Sequence, residues 1–183
     1  LPQIGSCDWN DGFSDLGDGG ESVWLAWFFA HTARRFLALT GEDELLADAA
    51  CRFAAAAAAC WDEDRWLRAF FGGGAPIGGR DGEAGRIDAI AQAAPTLCPA
   101  DAPAGRRRAA LDTALRLLFD EERGLLRLFD PPFTDKTRSP GYLTGYGAGF
   151  RENGGQYTHG AVWLALIWLM VRYVLVWLLP FLI

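Results

Sequence analysis

The segment "DPPFTDKTRSPGYLTGYGAGFRENGGQ", Asp130 to Gln156, constrains the fold of this chain more than any other. Proline removes backbone donors and glycine offers no side chain to pack, so neither helix nor strand can run through it unbroken. An ordered loop of that length inside a compact domain is uncommon and usually carries function. The chain on either side is apolar at helical spacing, which gives the order helix, cleft loop, helix, with few strands.

Glu21 to Leu39 places Val23, Trp24, Trp27, Phe28 and Phe36 at helical spacing, and Gly41 stops the helix. A second helix is expected from about Asp43 to Trp61, with "AAAAAA" inside it as scaffold, because alanine favours helix but offers little shape for unique packing. "DRWLRAFF", Asp64 to Phe71, reads as a strand or an irregular cleft wall before the loop "GGGAPIGG". A third helix fits Ile87 to Thr96 and a fourth Arg106 to Glu121, with Arg106, Arg107 and Arg108 as its solvated start. "GLLRLF" reads as a short strand, and a last apolar helix begins near Gln156.

With 183 residues, 51% of them hydrophobic, the chain can bury one real core. A net charge of -6 gives no electrostatic reason to bind nucleic acid, whose affinity comes from clustered Lys and Arg. Eight Trp and twelve Phe are many for this length, and such aromatics line sugar clefts as well as fill cores. Cys7, Cys51, Cys60 and Cys98 form no CxxC pair, and Cys51 and Cys60 fall on opposite faces of one helix. They read as reduced, buried thiols of a cytosolic protein. Two histidines, His31 and His159, argue against a histidine-rich zinc site, and no metal or cofactor is assigned. The chain opens on Leu1 with no basic-then-apolar leader behind it, which suggests a piece of something longer.

Two polar motifs carry chemistry. In "DWNDG", Asp8 to Gly12, the carboxylates and amide are ordinary turn formers. Gly12 stands where a calcium loop needs its third oxygen ligand, so that reading fails. Trp9 between two carboxylates is not explained by a turn, and an indole beside Asp11 would favour the protonated form that a general acid needs. "RENGGQYTHG", Arg151 to Gly160, gathers a base, an acid, two amides, a phenol and an imidazole just before a helix start. Helix N-H groups with His159 and Arg151 suit an anion; a capped helix with a polar collar explains the motif equally well. "GYGAGF" lacks the spacing and the preceding strand of a dinucleotide loop.

Taken with their order and spacing, "IGSCDWNDGFSDLGDGGESVWLAWF", "GRIDAIAQ", "LFDPPF", "SPGYLTGY" and "RENGGQYTHGAVW" resemble the catalytic domain of glycoside hydrolase family 94. This is the cellobiose phosphorylase family, which includes the phosphorylase-like C-terminal domain of cyclic beta-1,2-glucan synthases. The resemblance spans about Leu1 to Trp168, and "RIDAIAQ" is closer to the synthase branch. It implies a mainly α fold, part of an (α/α)6 barrel of six-hairpin type, and inverting phosphorolysis of a β-glucan oligosaccharide with inorganic phosphate as co-substrate. It makes Asp11 the general acid, Trp9 and Glu152 sugar-binding residues with Gln156 and Tyr157 in support, and His159 a phosphate ligand.

About five helices are legible where such a barrel needs twelve. Residues 1–168 therefore read as a fragment of the catalytic domain, expected to have little or no activity alone, and 169–183 as an apolar tail unlike the family. The run Ala161 to Ile183 is long enough to span a bilayer, which would anchor the chain at the cytoplasmic face of a membrane. Arg172 sits mid-run at a cost the surrounding Leu, Ile, Val and Phe can offset, but a buried barrel helix followed by an aberrant tail is preferred, because its first half already matches a family helix and hydropathy alone does not separate core from membrane. A carbohydrate-binding remnant without catalysis is the alternative from another functional class.

Overall fold

The computed structural model describes residues 1–5 and 12–170. The two residues assigned to the acid motif, Trp9 and Asp11, lie outside the described residues, as do Cys7 and the tail from 171 to 183. The described chain is mainly α, and its strands are two residues each.

Helix α1 (Val23–Thr40) follows strand β1 (Glu21–Ser22). Glu21, expected in the helix, instead pairs with Phe70, and Ser22 becomes the N-cap, its Oγ accepting the Leu25 N-H at 3.0 Å. Gly41 ends α1 as anticipated, at φ +100° with its N-H bonded to the Leu37 carbonyl. Asp43 caps α2 (Glu44–Ala59) through the Leu46 N-H at 3.0 Å. The alanines serve the packing of α1 on α2: Ala26, Ala30 and Ala33 on one helix and Ala50, Ala54 and Ala57 on the other are all buried. Side chains that small let two helices approach closely.

"DRWLRAFF" divides into β3 (Arg65–Trp66), which pairs with β2 (Trp61–Asp62), and β4 (Ala69–Phe70), which pairs with β1 and β5 (Pro76–Ile77). The expected third helix is shorter than its apolar spacing suggests. Ile87–Asp88 forms strand β6, α3 covers Ala89–Ala93, and Pro95 lies in a 3-10 turn, Ala94–Leu97. The cause is distant in sequence, because β6 pairs antiparallel with β9 (Phe129–Asp130). "GLLRLF" likewise splits into β8 (Leu125–Leu126), paired with β7 (Phe119–Asp120), and the start of β9.

Helices α4 (Ala104–Leu118) and α5 (Thr158–Leu169) close a second, smaller core around Ile87, Leu111, Leu118 and Leu164. The larger core holds Phe13, Trp27, Trp66, Phe129 and Phe133, and Trp163 packs against both. Arg107 is not solvated as expected: its Nε donates to the Ala102 carbonyl at 3.0 Å. Cys98 is buried as expected, but Cys60 is only half-buried and Cys51, turned off the alanine stripe of α2, is exposed. No helix among the described residues is long and apolar enough to cross a membrane.

Candidate functional site

The segment that follows the acid motif is held from three sides. Phe13 is buried edge-on against Phe129 and Phe133, with ring centroids 6.3 Å away in each case. On a second side the "SPGY" loop clasps the backbone. The Asp15 N-H donates to the Pro140 carbonyl at 3.0 Å, the Tyr142 N-H to Ser14 Oγ at 3.2 Å, and the Leu143 N-H to the Gly12 carbonyl at 3.3 Å. Gly141, at φ +140°, makes this approach possible. A Cβ there would stand 2.5 Å from Ser14 Oγ and 2.6 Å from the Gly12 oxygen. On the third side Gly72 donates its N-H to the Leu16 carbonyl at 2.7 Å and lies too close to Asp18 for any side chain. Arg138 covers that junction, its guanidinium 4.0 Å above the Phe71 ring.

Beneath Phe13 lies Arg68, with no solvent exposure. Its Nη1 donates to Ser22 Oγ at 3.2 Å, its Nε stands 3.7 Å from Asp88 Oδ2, and its guanidinium faces the rings of Phe13 at 5.0 Å and Trp24 at 5.8 Å. A fully buried cation needs such a set of partners, because desolvation costs several kcal/mol if any is removed (~3–5). Asp88 also caps α3 through the Ala91 N-H at 2.9 Å. In the same motif, Gln92 Oε1 accepts the Trp66 N-H at 2.8 Å and Nε2 donates to the Trp66 carbonyl at 2.9 Å. "RIDAIAQ" thus couples α3 to both the buried arginine and strand β3.

The "RENGGQYTH" residues separate into two environments. Asn153 is buried and clamps the loop: its Oδ1 accepts the Phe133 N-H at 2.9 Å, and its Nδ2 donates to the carbonyls of Phe133 at 3.0 Å and Tyr146 at 2.9 Å. Beside it Glu152 is only 6% exposed. Its Oε2 is buried with no hydrogen-bond donor among the described residues, and Arg151 Nε stands 3.4 Å away. Arg151 adopts φ +47° and lays its guanidinium 4.6 Å over the Tyr146 ring. A buried carboxylate oxygen left without a donor is costly, and a ligand hydroxyl is the kind of group that satisfies it.

Gln156 belongs elsewhere. Its Oε1 accepts the Leu126 N-H at 3.2 Å, and it lines a cavity of about 720 Å³ between α4 and α5, with Phe119, Val162 and Trp168 on the wall. Glu152 does not line that cavity. Tyr157 is half-buried at the N-cap of α5, and its carbonyl accepts the Ala161 N-H at 3.0 Å. His159, in the first turn of α5, is exposed and set edge-on to Trp163 at 5.7 Å. Arg151, paired by sequence with His159 as an anion ligand, is instead engaged with Glu152 and Tyr146.

Sequence reasoning missed Arg68, Asp88, Asn153 and Gly141. The signal was present for the last three, which lie inside the motifs "GRIDAIAQ", "RENGGQ" and "SPGY". Nothing local distinguishes Arg68 from the other arginines; only burial does.

Comparison with known proteins agrees with the motifs. The model of the glycosyl hydrolase 94 superfamily, catalytic domain, matches residues 1–171. The cyclic beta-(1,2)-glucan synthase NdvB of Rhizobium meliloti (strain 1021) is 39% identical over 91% of this chain, and the solabiose phosphorylase of Paenibacillus borealis 34% identical over 84%. The chain spans 6% of the first protein and 21% of the second. With nearly its whole length matched and its motifs in order, the chain belongs to the glycosyl hydrolase 94 superfamily, within the catalytic domain.

Proposed function

We propose that this chain is the acid-bearing part of a glycoside phosphorylase domain that acts on β-linked glucans, within the β-1,2 branch. The observation that carries the reading is Glu152, a carboxylate buried in a rigid loop, whose Oε2 has Arg151 Nε at 3.4 Å and no hydrogen bond among the described residues. Such a group is suited to bind a sugar hydroxyl and poorly suited to a purely structural role. Two relatives support the reading by their names, a cyclic beta-(1,2)-glucan synthase for the glucan and a solabiose phosphorylase for the phosphorylase chemistry.

In this reading Asp11 gives its proton to the glycosidic oxygen as the bond from that oxygen to the anomeric carbon breaks. A phosphate oxygen attacks the same carbon from the opposite face, so the configuration inverts and α-glucose 1-phosphate leaves with a shortened glycan. An inverting hydrolase needs a second carboxylate to deprotonate water. Phosphate is already an anion, so one carboxyl suffices. Glu152 holds the acceptor sugar with Trp9, while Gln156 and Tyr157 support the loop, and exposed His159 with the first turn of α5 receives phosphate. The clasp of residues 140–143 on residues 12–15 ties the segment directly after the acid motif to the loop that leads to Glu152.

The described helices form part of an (α/α)6 barrel completed by other sequence. The isolated 183-residue chain accordingly turns over little or not at all, and the activity belongs to the complete enzyme in the cytoplasm. Incubation of the complete enzyme with β-1,2-glucan and phosphate should release α-glucose 1-phosphate, detectable by phosphorus NMR. Replacing Asp11→Asn should lower that rate by about 10²–10⁴ while glucan binding persists. Release of free glucose without phosphate would exclude phosphorolysis, and an Asp11→Asn enzyme of full activity would exclude Asp11 as the acid.

A further inference from the structure

Residues 6–11, with the proposed acid Asp11, lie outside the described residues, but the anchors of both their flanks meet at one side chain, Arg68. Upstream, residues 1–5 run along β1. The Ile4 N-H donates to the Gly20 carbonyl at 2.8 Å, the Ser22 N-H to the Pro2 carbonyl at 2.9 Å, and Gln3 bridges to Glu21. Downstream, Phe13 is buried edge-on against Phe129 and Phe133. The Arg68 guanidinium reaches both anchors, donating to Ser22 Oγ at 3.2 Å and facing the Phe13 ring at 5.0 Å. Two residues of chain extend at most about 7 Å, so a shift of Phe13 is passed on to Asp11.

Arg68 is itself fixed from several directions. Its N-H donates to the Ile77 carbonyl at 2.7 Å, and its own carbonyl accepts the Val23 N-H at 3.1 Å. Gly78, at φ +100°, lies so close that a Cβ there would stand 2.6 Å from the Arg68 nitrogen. The Arg68 Nε faces Asp88 Oδ2 at 3.7 Å, while Asp88 Oδ1 is held by the Ala91 N-H at the start of α3. A guanidinium is a flat fork of donors, so one held at its stem and at its tip sets both the distance and the orientation of what it touches.

We propose that Arg68 is a positioning residue for the general acid, acting through Phe13 and Ser22 to hold the stretch that carries Asp11 at one distance from the glycosidic oxygen. The inference rests on the phosphorylase reading above. Arg68 has no solvent exposure and lies beneath Phe13, so it works behind the site and not on the substrate. Stability alone is a poor reason to bury it, because apolar packing commonly replaces a buried ion pair at no loss. Geometry is the better reason: a misplacement of about 1 Å from a change behind the reacting groups can cost about 10²-fold in rate. Asp88 then links "RIDAIAQ" to catalysis, through Arg68 and at a distance from the sugar.

The test uses Arg68→Lys and Asp88→Asn in the complete enzyme, each with two donors and phosphate. The β-1,2-linked glucose disaccharide leaves as an alkoxide and needs the acid's proton; dinitrophenyl β-glucoside leaves as a weakly basic phenolate and does not. Arg68→Lys keeps the charge but loses the fork. Its kcat on the disaccharide should fall by about 10- to 100-fold, with KM for phosphate within about twofold and kcat on the aryl glucoside within about threefold of wild type. Asp88→Asn can keep the α3 cap through its amide oxygen but turns a donor toward Arg68, so it should show the same split at smaller size, and it decides the question alone if Arg68→Lys does not fold. An equal loss on both donors, or no loss on either, would overturn the positioning role. If the wild type forms no glucose 1-phosphate from either donor, the phosphorylase reading has failed independently. Hydrogen exchange then judges Arg68: faster exchange of the Ile4 and Asp15 amides in the variants, with the helices unchanged, supports it as the anchor of both flanks, and unchanged or uniformly faster exchange refutes it.

Discussion

Asn153 offers a direct test of the clamp that holds the candidate site. It satisfies three backbone groups, the buried N-H and carbonyl of Phe133 and the partly buried carbonyl of Tyr146. Asn153→Ala removes all three bonds at about 1 kcal/mol each, so a loss of about 3 kcal/mol and a Tm lower by about 6–12 °C are expected. Asn153→Asp is nearly isosteric but keeps only the bond from Phe133 N-H. It replaces the two donations with a carboxylate oxygen facing two carbonyls. Burial and those dipoles disfavour the charged form, so the new carboxyl titrates above its unfolded value of about 3.9. Between the two values the folded state binds more protons, and stability must fall as pH rises through the folded pKa. Urea unfolding of wild type, Ala and Asp proteins at pH 4.5 and 7.5 gives the comparison. The Asp variant should lie near or below Ala at pH 7.5 and recover part of the difference at pH 4.5. An Asp variant as stable as wild type at pH 7.5, or one with the wild-type pH slope, would refute the clamp.

Three further outcomes are expected. Glu152→Gln should raise KM for the acceptor sugar with little change in stability, because it leaves the buried group its size; steady-state kinetics in the synthetic direction measures it. Gly141→Ala should cost about 2–5 kcal/mol by denaturant unfolding, since φ +140° is strained for alanine and its Cβ meets Ser14 and Gly12, whereas Gly73→Ala, at φ +90° with open space, should cost less. Burial pushes the thiols of Cys60 and Cys98 up to about 11, so iodoacetamide at pH 8, followed by mass spectrometry, should label exposed Cys51 before either of them. The same shift makes the folded state hold its thiol protons longer. Stability should therefore fall as pH rises from about 9 toward 11.

Local sequence determined the α1 to α2 turn and the start of α5, because caps and breakers act within a few residues. Gly41 and Asp43 mark the α1 to α2 turn, and the apolar run after Gln156 becomes α5. It also determined the family, through motifs whose residues do identifiable work: Asp88 and Gln92 in one, Asn153 in another, Gly141 in a third. Only the tertiary structure decided that Ile87–Asp88 is a strand, since its partner Phe129–Asp130 lies far along the chain. Only it separated Glu152 from Gln156, which share a motif: Glu152 is buried beside Asn153, whereas Gln156 lines the cavity between α4 and α5, where the chain pairs with Arg127 and Leu128. The largest difference concerns Arg68. As a letter it is one more surface-prone cation, and its burial exists only because Phe13, Ser22 with Trp24, and Asp88, from three separate parts of the sequence, converge on one guanidinium.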